Sequence, residues 1–124
     1  MKKLLWSTAA AVVAAYFGLA AISPSPARAA EPDKKTARVW KSKCASCHGL
    51  DGKGKTEQGE KMGIQDFTSA AVQKDLTDDR IKKAVTEGIT RTVDGKKQQM
   101  DSFKDDLTAD QVDALVTYIR ALKK

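Results

Sequence analysis

The chain has 124 residues, with 22 Lys plus Arg against 16 Asp plus Glu, two cysteines and one histidine. That length holds one small domain, and two cysteines cannot make a disulfide framework. Acidic residues lie throughout among the basic ones and leave no basic stripe with interleaved aromatics, which speaks against a nucleic-acid binder.

At the N-terminus Lys2 and Lys3 precede an uncharged stretch, Leu4 to Ile22, then Ser-Pro-Ser-Pro and Ala27-Arg28-Ala29. A basic start, an apolar middle and a small-x-small end are the marks of an export signal. Residues 1–29 are therefore expected to be a signal peptide cleaved before Ala30, with residues 30–124 as the domain. The rival is an uncleaved membrane anchor, because the stretch approaches the roughly 20 residues that span a bilayer. Losing Lys2, Lys3 and Arg28 leaves 19 basic residues against 16 acidic, so the domain is only mildly basic. It keeps four aromatics, Trp40, Phe67, Phe103 and Tyr118, and a domain this small often needs a metal or cofactor to complete its core.

No run of alternating apolar residues predicts a strand, so the expected class is all-α, helices joined by long polar loops. Ala37, Trp40 and Cys44 share one face of a helix over about 34–43. A glycine-rich loop follows, with Gly49, Gly52, Gly54, Gly59 and Gly63; its spacing is not that of a phosphate-binding loop. Ser69 is placed to cap a short turn. Thr77 is placed to cap a helix that carries Ile81, Ala84 and Val85 and stops at Gly88. Thr108-Ala109-Asp110-Gln111 is a capping-box sequence, and Val112, Leu115, Val116, Ile119 and Leu122 recur at helical spacing after it. Between these two helices residues 89–107 show no pattern, and a loop so long in a compact domain is usually functional or disordered.

Cys44-Ala-Ser-Cys47-His48 holds both cysteines and the only histidine. A thioredoxin-type dithiol would sit in a βαβ setting, and this chain shows no strand pattern. Zinc wants four ligands, and Cys44, Cys47 and His48 are the only Cys and His available. Covalent haem attachment is what C-x-x-C-H carries: two thiols one helical turn apart form thioethers with the vinyl groups of a haem, and the next residue turns its imidazole under the iron. Attachment of this kind takes place outside the cytoplasm, in keeping with an export signal.

From Thr36 to Lys124 the chain resembles a small monohaem class I cytochrome c. The resemblance rests on Trp40 four residues before the first cysteine, the C-x-x-C-H-G-x-D-G-x-G run from Cys44 to Gly54, Met-x-x-Phe from Met100 to Phe103, and a closing helix with V-T-Y-I-R-A-L from Val116 to Leu122. It implies the small cytochrome c fold, three to five helices wrapped around one covalent haem c, with first and last helices crossing. Two departures stand out. Asp101 follows Met100 where the family commonly has proline, and Thr36 or Ala37 stands where a glycine often lets the helices approach closely.

With His48 as the iron's fifth ligand no second histidine remains, so the sixth position falls to methionine, lysine or neither. Met62 and Met100 are both candidates by position, and the family's Met-x-x-Phe pattern implies Met100. Phe67 and Phe103, with Leu50, Ile64, Ile81, Val85, Leu115 and Ile119, are the expected pocket residues. Lys53, Lys55, Lys96 and Lys97 are placed to border the haem edge and steer an acidic partner.

The expected function is that of a periplasmic one-electron carrier with His/Met ligation, not an enzyme. It would be a monomer, meeting a protein donor and a protein acceptor, and touching a membrane only if the signal stays uncleaved. The alternatives are a haem peroxidase or gas-binding protein with a labile distal ligand, and a cytochrome subunit of a larger redox complex.

Overall fold

The computed structural model describes residues 33–124; the expected signal, residues 1–29, lies outside the described residues. Helix α1 spans residues 34–48, five residues beyond the stretch expected. The Asp33 carboxylate caps it, accepting the Lys35 and Thr36 N–H groups at 2.8 and 2.9 Å, donors that a first helical turn leaves free. Its middle, Trp40–Cys44, winds as a π-helical turn in which the Ala45 N–H reaches the Trp40 carbonyl. Such widened turns are frequent at functional sites, and this one ends on the first cysteine.

Helix α2, Glu57–Met62, lies inside the stretch expected to be a glycine-rich loop. Thr56 starts it by accepting the Gly59 N–H at 2.9 Å. Six residues with a glycine among them are too few to show an apolar stripe, which is why the sequence pattern hid it. Gly59 has a packing reason. A Cβ there would lie 2.1 Å from the Gly54 carbonyl oxygen and 2.5 Å from that of Cys47, so only glycine lets α2 lie against the end of α1.

Helix α3 is Ala70–Asp75; Ser69 stands at its N-cap, but its side chain accepts no hydrogen bond there. Helix α4, Asp78–Glu87, has the expected Thr77 cap and buries Ile81 and Val85. Helix α5, Ala109–Ala121, begins with a complete capping box between Thr108 and Gln111. The core is Trp40 from α1, Ile81 and Val85 from α4, Leu107, and Val112, Leu115, Val116 and Ile119 from α5. Trp40 stacks on Tyr118 with ring centroids 5.2 Å apart, which ties α1 to α5. Thr36 is buried, and its hydroxyl is satisfied by the Asp33 carboxylate at 2.7 Å.

Residues 89–100, expected to be irregular, form an antiparallel hairpin. Strands β1, Ile89–Val93, and β2, Lys96–Met100, pair with Ile89 opposite Met100 and Val93 opposite Lys96. Asp94 and Gly95 make the two-residue turn, both with positive φ, 49° and 75°, as a hairpin matched to strand twist requires. The strands escaped the period-2 test because most of their side chains face water and the one buried residue is polar, Gln98. The helices remain the frame, and the hairpin is added to one side of it.

Arg120 locks the far end of α5. It donates to the carbonyl and side-chain oxygens of Gln73 at 2.8 and 2.7 Å, to the Asp78 carboxylate and to the Leu76 carbonyl. Gln73, itself buried, donates to the carbonyls of Phe67 and Ile119, both at 2.7 Å. Among the described residues no helix is long and apolar enough to cross a membrane.

Candidate functional site

A single cleft has two chambers that share His48, Met62, Ile64, Gln99 and Met100. One chamber adds Cys44 and Cys47 with Lys43, Asp101 and Phe103. The other adds Phe67, Leu76, Ile89, Arg91, Gln65 and Gln98.

The histidine is held through hydrogen bonds to the backbone carbonyls of Cys47, His48 and Gly49. The Trp40 indole N–H donates to the Gly49 carbonyl at 3.0 Å, the Gly54 N–H to the His48 carbonyl at 2.8 Å, and the Thr56 hydroxyl to the Cys47 carbonyl at 3.0 Å. The imidazole stacks on Phe67 with centroids 5.0 Å apart and lies 5.7 Å from Trp40. Its Nδ1 is buried with no hydrogen-bond partner. Burial pushes its pKa down to about 4, so the ring is neutral near pH 7, the form that ligates metals. A buried polar atom without a partner is costly.

Both cysteines are free and half-buried. Burial pushes the Cys44 thiol up to about 11, opposite to the lowered value that a dithiol redox catalyst needs. Among the described residues no three His, Cys, Asp or Glu side chains converge as a metal-binding group. The donor set and the apolar cleft therefore suit a haem, with two thiols at one end and one imidazole within.

Met100 ends β2 and leads into a segment fastened to the end of α4. The Ser102 hydroxyl donates to the Thr86 carbonyl at 2.5 Å, and the Phe103 N–H to the Val85 carbonyl at 2.9 Å. Gly88 makes room: a Cβ there would lie 2.5 Å from the Met100 carbonyl oxygen. These bonds fix the segment although Asp101 stands where proline is common in the family it resembles. Met62 also lines the cleft from α2, which Gly59 holds against the Cys47 and Gly54 carbonyls and whose end accepts hydrogen bonds from Lys96 and Gln98 of β2.

Phe67 and Phe103 line the cleft with Ile64. Ile81, Val85, Leu115 and Ile119 belong instead to the helical core behind it, and Leu50 is 62% exposed and lines neither chamber. Of the four lysines expected at the rim, Lys96 donates to the Glu60 carbonyl at 2.9 Å and Lys53 approaches Asp51 at 3.9 Å; none of the four lines the cleft. Sequence reasoning missed Arg91, Gln98 and Ile89, which reach the cleft only because the hairpin folds. The Asp94-Gly95 pair directly after the β-branched Thr92 and Val93 was the available signal.

Residues 31–119 match the family model described as "Cytochrome C oxidase, cbb3-type, subunit III". No curated protein gives a significant match. Among solved structures, one described as "KustC0563 c-type cytochrome" is 34% identical with a TM-score of 0.60, covering 72% of this chain and 98% of its own. A mutant of that protein with a tyrosine changed to phenylalanine gives 33% identity and 0.58, covering 71% and 98%.

Proposed function

This chain belongs to the small class I monohaem c-type cytochromes, and on that premise we propose that it is an exported one-electron carrier with His48 and Met100 as axial ligands. Proteins of this family bind haem c covalently and transfer electrons with it. When bound, the haem supplies an iron that cycles between ferric and ferrous by one electron.

The chain's own residues do the rest. Cys44 and Cys47 tether the group at one end of the cleft, and His48 offers a neutral imidazole whose ring is fixed by Phe67 and the glycine turns. Phe67, Ile64 and Phe103 exclude water from the cleft walls. The observation that carries the reading is that His48 and Met100 line the same cleft from separate parts of the chain. Met/His ligation raises the reduction potential and leaves no position for a substrate, which favours a carrier over an enzyme. Residues 1–29 would direct export to the periplasm, with protein donors and acceptors met there.

A second reading, a cytochrome subunit of a larger redox complex, is favoured by the description of the matching family model. Absorption spectra of the purified protein in both oxidation states, with and without carbon monoxide, test the first reading. A carrier with both axial positions filled leaves the ferrous spectrum unchanged by carbon monoxide; rapid, complete binding would overturn it. The N-terminal residue of the same sample reads whether the signal is cleaved.

A further inference from the structure

Helix α3 buries one residue, and it is polar: Gln73, 7% exposed. It lines neither chamber of the cleft. Its amide nitrogen donates to the Phe67 and Ile119 carbonyls, both at 2.7 Å, and its side-chain oxygen accepts from the Arg120 guanidinium at 2.7 Å. Both amide hydrogens are thus committed, and a flipped amide would set its oxygen against two carbonyl oxygens. Arg120 is held in turn by the Asp78 carboxylate.

This chain of bonds ends behind the histidine. Phe67 is tied on both sides of its backbone, its N–H donating to the Gly52 carbonyl at 2.9 Å and its carbonyl accepting from Gln73. Its ring lies nearly parallel to the His48 imidazole, with 21° between the planes, a stacked arrangement that aromatic rings favour when offset. Among the described residues the imidazole Nδ1 has no hydrogen-bond partner, so the rotation of the ring is set by what packs on it.

Groups behind a metal ligand commonly fix its orientation and tune the metal. We propose that Gln73, clamped by Arg120, is a positioning residue for the proximal ligand: by holding the Phe67 carbonyl it keeps the Phe67 ring on His48 and so sets the plane in which the imidazole meets the iron. The proposal rests on the haem reading above and on His48 as a ligand; it does not depend on Met100.

The experiment compares the holoprotein with Gln73→Leu, Phe67→Leu and the two changes together. In each, the ferric iron is given cyanide, a linear ligand with no plane of its own, so that the spread of the haem methyl shifts in the proton NMR spectrum follows the imidazole plane. The expected result is a changed spread in Gln73→Leu and in Phe67→Leu, with the double variant matching Phe67→Leu alone, because Gln73 acts through that ring. Val112→Ala, a buried change at the start of α5, should lower the unfolding midpoint and leave the spread as in the parent.

An unchanged spread in Gln73→Leu would overturn the proposal, as would shifts that add in the double variant or an equal change in Val112→Ala. If Gln73→Leu takes up no haem, Arg120→Gln replaces it: freeing the Gln73 oxygen should also change the spread, and an unchanged spread there would overturn the proposal. The ferric sulfur-to-iron charge-transfer band of the parent without cyanide reads Met100 separately. Its absence counts against Met100 ligation alone, and the cyanide adducts still report on Gln73.

Discussion

On the cleft wall that carries His48, the holding is done by one helix end, a set of glycine turns fastened by Trp40 and Thr56, and α2 packed on them through Gly59. On the wall that carries Met100, a polar hairpin and two hydrogen bonds, one from the Ser102 hydroxyl and one from the Phe103 N–H, hold a short segment to α4. The first wall backs onto Trp40, one of the most deeply buried side chains. The second faces water along most of its length. Tight backbone packing resists local opening, whereas few buried contacts and exposed hydrogen bonds permit it. Under the proposed ligation, attachment of the cofactor would rest on the firmer wall, and closure of the iron's other side on the softer one.

The largest expected effect breaks the firmer wall. Replacing Cys44 and Cys47 together by serine removes the covalent tethers, and with them a cofactor whose binding stabilises only the native state. Denaturing gels would then show no haem on the chain, and circular dichroism a large loss of helix; native-like helicity in the variant would contradict the claim that the haem completes the core.

Gly59→Ala tests the same wall more finely. A methyl group placed against two backbone carbonyls forces α2 away from Cys47, and overpacking of this kind typically costs about 1–3 kcal/mol. Guanidinium unfolding of the holoprotein measures it, with the charge-transfer band expected to survive until global unfolding. Ser102→Ala addresses the softer wall and should cost less, about 0.5–1.5 kcal/mol for one hydrogen bond. Its signature is at the iron: the band should fade at a lower temperature than the helical signal, whereas in Gly59→Ala the two should fall together.

The same contrast governs what could be read in the sequence. The firmer wall was legible because its chemistry is local: Cys44, Cys47 and His48 stand within five residues, and Trp40 precedes them at helical spacing. The caps at Thr77 and Thr108 were legible too, since a capping hydroxyl and the backbone N–H that donates to it lie three residues apart. The hairpin was not, because its register brings together residues such as Arg91 and Gln98 that share no apolar alternation. Leu50 was misplaced for a related reason: next to the glycine turns, its direction depends on backbone angles that composition does not reveal. The network of Arg120, Gln73 and Asp78 likewise joins residues more than forty positions apart.

The role of the softer wall is tested most directly by the ferric charge-transfer band of sulfur-ligated haem, recorded for Met100→Ala and for Met62→Ala. The account predicts that the band disappears when Met100 is replaced and persists when Met62 is replaced. A band that survives the loss of Met100 and vanishes with Met62 would contradict it.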